Sequence, residues 1–281
     1  MSDLARRSAH RCFGGTVSFY EHSSTEIDGR MRFAVFLPPQ ADQGRVPVLM
    51  YLAGLTCSEE TFMTKANALS EATRLGLALV APDTSPRDKR HPGDDASWDF
   101  GLGAGFYVDA TQAPWRDGYR MYSYVSRELP ALIEKEFSVD GTRWGLFGHS
   151  MGGHGALVVG LRNRERFKSI SAFAPIAAPM QCPWGEKAFS NYLGPDRKAW
   201  QQYDASELVR SGARASEILI DQGLADQFLT EQLKPEVFEQ ACTETGQKLS
   251  LRRHAGYDHG YYFIQSFMAD HLAHHARLLR A

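Results

Sequence analysis

The sequence predicts an α/β domain with a mostly parallel central sheet flanked by helices. Three observations carry this. Segments with helical period alternate with short apolar runs along the whole chain. VPVLMYLAG (46–54) is nearly continuous in apolar residues rather than alternating, as strands buried on both faces are, and SISAFAPIAAP and SEILIDQG (216–223) read as two more buried strands. No repeat, low-complexity tract or Ser/Gly/Pro linker divides the 281 residues, so residues 1–281 read as a single domain.

The elements follow in order. MRFAVFLPP (31–39) reads as a strand closed by prolines, and VPVLMYLAG as a buried strand ending at Gly54. TKANALSEATRLG (64–76) has helical spacing and a glycine stop. LALVAPDTSPR (77–87) returns to strand. Residues 87–118 form a long irregular stretch rich in Asp, Gly and Pro, a length that compact domains keep for functional loops. Residues 122–137 are helical in period, with Pro130 marking a kink or a new first turn. RWGLFG is a short strand, with a helix from about Gly152. SISAFAPIAAP and SEILIDQG are strands. LTEQLKPEVFEQACTETG reads as helix around Pro235, KLSLRRHAG as strand, and YYFIQSFMADHLAHHARLL as the last helix.

Composition narrows the function. A formal charge of −2 lacks the basic excess of a nucleic-acid binder. No apolar run approaches membrane-spanning length. MSDLARRSAHRCF has arginines without a following apolar stretch and does not read as a secretory signal. Cys12, Cys57, Cys182 and Cys242 are far apart, so four reduced thiols and a cytoplasmic location are expected.

LFGHSMGGHG (146–155) lies between a strand and a helix and contains Gly148-His149-Ser150-Met151-Gly152. This is G-x-S-x-G, a sharp turn that lifts a serine above a sheet, with glycine where side chains would strike neighbouring strands. The helix start beneath it supplies free N–H groups, and that of Met151 faces a developing oxyanion. A serine needs a base, and on such sheets the chain order is Ser, then Asp or Glu, then His. Asp226 in DQGLADQFL and His259 in GYDHGYYFI satisfy that order at strand ends. Asp221 and His254 fall earlier, within strands. Asp258 adjoins His259 and reads as a turn residue. His149 and His154 read as packing around the turn. His271 and His275 are four apart on a helix; a hydrogen-bonding or solvated face is expected there, and no metal. The second oxyanion donor falls to the Leu55 N–H in LAGLTCSEETF, where Gly54 lets the backbone come close. Cys57, just before a helix, is a redox-sensitive candidate if the helix start favours its thiolate, and an inert small residue if burial prevails.

LAGLTCSEETF, ALVAPDTSPR, SWDFGLGAGFYVDAT, GHSMGGHGAL, SAFAPIAAPMQCPWGEKAF, ILIDQGLADQFL and GYDHGYYFI together resemble the S-formylglutathione hydrolase (esterase D) family, from about Phe33 to His275. The resemblance implies an α/β-hydrolase fold, no cofactor, a homodimer, and hydrolysis of a small-molecule thioester, S-formylglutathione, to glutathione and formate in formaldehyde detoxification. It implies Ser150, Asp226 and His259 as the triad. A broad short-chain carboxylesterase is the alternative. The family pattern has glycine where this chain has Asp88 and serine where it has Gly260. Asp88 would weaken preference for an anionic thiol if its loop touched glutathione, and Gly260 would loosen the histidine loop. Trp98, Phe106 and Trp184 lie in the matching segments, either narrowing the acyl pocket or as core aromatics. Arg87, Lys89 and Arg90 are candidates to meet glutathione carboxylates, with a solvated loop the plainer account of the last two.

Overall fold

The computed structural model describes residues 3–88 and 90–280. The chain opens with an antiparallel meander, β1 (Ala5–Cys12), β2 (Gly15–Ser24) and β3 (Gly29–Leu37). The parallel strands follow: β4 (Val46–Leu52), β5 (Ala78–Pro82), β6 (Val139–His149), β7 (Phe167–Phe173), β8 (Ile218–Gly223) and β9 (Leu249–His254). They form one sheet in the order β1-β2-β3-β5-β4-β6-β7-β8-β9, with β3 joined antiparallel to β5. The chain steps from β4 outward to β5, then returns past β4 to β6. The direction of winding therefore reverses between β4 and β6, and a parallel sheet opens a crevice at the carboxyl ends of such a pair. The expected mostly parallel sheet is present. The meander was not foreseen: β1 is almost wholly exposed and polar, with no apolar pattern to announce it.

Three expected helices divide, the one around Pro235 at Lys234, which stands at φ +48 between a π turn over Leu229–Leu233 and a helix from Pro235. The stretch read as one helix over 64–76 is α1 (Glu59–Lys65) and α2 (Leu69–Leu75). Ser58 caps α1 in a reciprocal pair with Thr61, so the helix starts earlier than its apolar period implies, and Asn67 at φ +54 breaks it. The helix around Pro130 is α3 (Met121–Ser123), a π turn over Tyr124–Glu128, and α4 (Leu129–Glu136). The wide turn lets Pro130 sit in the first turn of α4, where its missing N–H costs nothing. α5 (Met151–Arg162) follows the serine turn. Three short helices, α6 (Pro183–Tyr192), α7 (Arg197–Gln201) and α8 (Ala205–Arg210), precede β8; α9 (Pro235–Thr245) and α10 (Tyr261–Arg280) complete the fold.

Strand alternation sorts the two layers. On β7, Ile170 would meet a side chain added at Gly160 of α5, whereas Ser169 and Ser171 bond to α10. His271, His274 and His275 are thus buried on the inner face of α10, hydrogen-bonded and not solvated. Their protons have one consistent arrangement. The Asp221 carboxylate only accepts, so His271 Nε2–H donates to it at 3.1 Å. His271 Nδ1 must then accept from Ser171 (2.8 Å), Ser171 Oγ from His275 Nε2–H (2.8 Å), and His275 Nδ1 from Ser169 (2.6 Å). Asp221 also accepts from Arg252 at 2.5 and 2.6 Å and from His254 at 3.0 Å. Burial alone would raise its carboxyl, but the donors from His271, Arg252 and His254 outweigh burial and hold it below the usual range.

This polar core makes stability depend on pH. Burial lowers His271 and His275, and it pushes His154 and His274 down to about 4. Between the ordinary histidine value near ~6.5 and about 4, the unfolded chain binds protons that the folded chain refuses. Stability is therefore present at neutral pH and is lost as pH falls through that window, by up to ~1.4 kcal/mol per pH unit for each histidine. Asp204, raised to about 6 by burial, and Glu59, also raised by burial, work in the opposite sense, two carboxyls against six histidines once His22 and His149, likewise lowered by burial, are included. Urea unfolding at pH 7.5, 6.5 and 5.5 is expected to show a midpoint that falls with each step; a constant or rising midpoint contradicts this account.

Candidate active site

The end of β6 and the start of α5 meet at Ser150, whose φ of 58° and ψ of −119° place it in a region L-residues rarely occupy. The glycines on either side explain how the turn closes. A Cβ on Gly148 would lie 2.3 Å from the Gly152 carbonyl oxygen, and one on Gly152 would lie 1.9 Å from that of Leu52. Ser150 N–H donates to Phe173 O at 3.0 Å, tying the turn to β7. The crevice between β4 and β6 opens directly above.

Asp226 lies just past β8 and is buried. Its Oδ1 accepts from Phe228 N–H at 2.8 Å, and its Oδ2 accepts from Gln222 at 3.3 Å and from His259 Nδ1 at 2.5 Å. Because the carboxylate only accepts, the proton of a neutral His259 is on Nδ1 and Nε2 is left as a base. Ser150 and His259 line one pocket of about 140 Å³ with Leu55, Cys57, Trp98 and Trp184. Asp221 and His254, the rejected competitors, bond to each other in the polar core instead.

The loop after β4 presses against the turn. A Cβ on Gly54 would approach Ser150 Cβ to 3.2 Å, so the backbone comes close because Gly54 has none. Among the described residues, the N–H groups of Leu55 and Met151 donate to no protein acceptor. The loop is braced from behind: Gly103 O accepts Thr56 N–H (2.9 Å), the Cys57 carbonyl accepts from Thr84 (2.6 Å) and Arg87 (2.8 Å), and Tyr107 donates to Ala53 O (2.9 Å). The long irregular stretch is thus a support for this loop.

Trp98, Trp184, Phe228 and His259 form a run of ring contacts, with centroids 5.6, 4.8 and 5.0 Å apart. Trp98 is half-exposed at the rim and Trp184 is buried. Phe106 is a correction: it is wholly buried, it does not line the pocket, and its carbonyl pairs with the His154 ring at 3.0 Å. Cys57 does line the pocket, but burial raises its thiol above the ordinary value despite a helix start two residues on, so of its two readings the one in which burial prevails holds and the thiolate is not favoured. Arg87 is engaged by Asp83 and the Cys57 carbonyl, and Arg90 by Asp94 and Asp95, so neither arginine is available for glutathione in the expected way. Lys89 lies outside the described residues. Asp88 accepts from Arg30 N–H at 3.0 Å, in a cleft that shares no lining residue with the pocket. Phe228 and Tyr261 were missed; each is an aromatic two residues past a candidate triad member.

His149 packs its ring 4.4 Å from that of His259, and neither of its ring nitrogens has a hydrogen-bond partner. Burial holds it well below the ordinary histidine value. It therefore stays neutral, which spares His259 a second positive charge at van der Waals range when it takes up a proton.

Comparisons with known proteins place the chain in a family. The Esterase family model matches residues 24–274. The S-formylglutathione hydrolase of Mus musculus is 54% identical over 99% of both chains, and that of Arabidopsis thaliana 48% over the same shares. A solved S-formylglutathione hydrolase from Agrobacterium tumefaciens superposes with a TM-score of 0.96 at 51% identity, over 98% of this chain and 99% of its own. The chain belongs to the S-formylglutathione hydrolase family of esterases.

Proposed function

We propose that this chain hydrolyses S-formylglutathione to glutathione and formate through a formyl-serine intermediate. The observation that carries the reading is the pairing of Asp226 with His259 Nδ1 beside a strained Ser150, in a pocket narrowed by Trp98, Trp184 and Phe228. His259 Nε2 takes the Ser150 proton as Oγ attacks the thioester carbon. The oxyanion is met by the Leu55 and Met151 N–H groups, which have no competing acceptor. The C–S bond breaks, and the imidazolium returns its proton to the departing sulfur. Water, deprotonated by His259, then attacks the formyl-serine; formate leaves and Ser150 regains its proton. Asp226 holds the ring and offsets its charge in both halves.

The aromatic walls also support a second reading, a general short-chain carboxylesterase, because they limit the acyl group and not the leaving group. Four free cysteines support a reducing compartment. The family resemblance supports a homodimer. No helix among the described residues is long and apolar enough to cross a membrane.

Two measurements test the proposal. Ser150→Ala is expected to lower kcat by about 10⁴-fold or more with an unchanged unfolding midpoint; retained turnover removes Ser150 from the mechanism. For the wild type, kcat/KM for S-formylglutathione is expected to exceed that for p-nitrophenyl acetate by about 100-fold, roughly 2.7 kcal/mol of transition-state preference. Equal or better ester hydrolysis selects the second reading.

A further inference from the structure

Two hollows meet at His259. One is the catalytic pocket. The other, of about 320 Å³, is lined by Ala225, Gln227, Asp258 and Gly260, and the two share no residue except His259. Resting on the formylglutathione reading, we infer that the second cleft receives the peptide half of the thioester: Asp258 takes the γ-glutamyl ammonium and the Gln227 amide takes the carboxylate on the same carbon.

The chemistry sorts the two halves of the substrate. The acyl carbon must reach Ser150 Oγ. The sulfur must lie where the His259 proton is delivered, so the chain attached to it leaves along the His259 side. The pocket of about 140 Å³ is walled by Trp98, Trp184 and Phe228, and an ionised amino-acid head would lose its water there without a partner. The second cleft is open and carries the polar side chains of Gln227, Asp258 and His259 beside Ala225 and Gly260. An α-amino-acid head carries one cation and one anion on adjacent atoms, and this cleft offers one carboxylate and one amide donor.

Both groups are available. Asp258 and Gln227 are exposed. Among the described residues no cation stands within ion-pair reach of Asp258, and the Gln227 side chain makes no hydrogen bond within the protein. The Asp258 carboxylate is nevertheless fixed, because its Oδ1 accepts from Gly260 N–H at 2.9 Å. Gly260 also leaves it room: a Cβ there would stand 3.2 Å from that oxygen. The departure from the family pattern at Gly260 thus falls at the point that keeps this carboxylate in place.

The test crosses two enzymes with two substrates: wild type and Asp258→Asn, each with S-formylglutathione and with its analogue acetylated on the γ-glutamyl nitrogen. The wild type is expected to prefer the free ammonium by about three- to fivefold in kcat/KM, through KM, the range of an exposed ion pair. Asp258→Asn is expected to erase that preference. The inference is overturned if the wild type shows no preference, if the variant keeps it, or if both substrates lose equally, which would mean that Asp258 acts through the field at His259. Turnover of p-nitrophenyl acetate with neither thioester cleaved would overturn the functional reading itself, an outcome distinct from the other three.

Discussion

A Cβ on Gly152 would stand 1.9 Å from the Leu52 carbonyl oxygen, and one on Gly54 would stand 3.2 Å from Ser150 Cβ. The rest of the active centre depends on this lack of space where the β4 end and the α5 start meet. With glycine on both sides, the two backbones close to a distance that no side chain allows. The residue between the elbow glycines is then driven to positive φ, at a cost of order 1–3 kcal/mol that the surrounding sheet must bear. The same closure brings the Leu55 and Met151 N–H groups, from two separate segments, toward one volume. Phe173 O holds the turn from the third side. The strained serine turn, the approach of the β4 loop to it and the two proposed oxyanion donors follow from one steric fact.

That steric fact is legible in the sequence because it is enforced by residue identity at fixed spacing. Gly148 and Gly152 bracket Ser150, Gly54 ends an apolar run, and Asp226 and His259 follow two further runs. What escaped was set by tertiary contact or local capping. β1 is polar and exposed, so its pairing with β2 leaves no apolar trace. The break at Asn67 follows from a cap at Ser58 that the apolar period does not show. Phe106 and Trp184 look alike in sequence. They part because Phe106 sits in a positive-φ turn that buries its ring, whereas Trp184 stands in the first turn of α6, facing Phe228. Cys57 carries two readings in sequence, a helix start that favours its thiolate and burial that opposes it, and only the fold decides for burial. Asp88 and Arg87 were weighed as loop residues near a substrate; the loop folds back, and they serve β3 and the Cys57 carbonyl.

Among the described residues a Ser, His and carboxylate set occurs twice. Ser171, His271 and Asp221 are joined by hydrogen bonds of 2.8 and 3.1 Å beneath α10. Their hydroxyl has no route to solvent, sits on a regular strand and is also bonded to His275. Ser150 differs by its strained backbone, the helix start below it and an open pocket in front. The comparison separates constellation from function: the buried set orders the core, and only the backbone around the other can make its serine a nucleophile.

The pocket walls enter the chain at widely separated points, from Gly54 to Tyr261, with Phe228, His259 and Tyr261 all in its last fifth. A nascent chain that still lacks this segment has the serine turn but neither the proposed base nor the far wall, so on the proposed mechanism an incomplete chain is no hydrolase. Recovery of activity after denaturation likewise reports closure of the longest loops in the molecule, and each refolded active site counts one completely assembled chain.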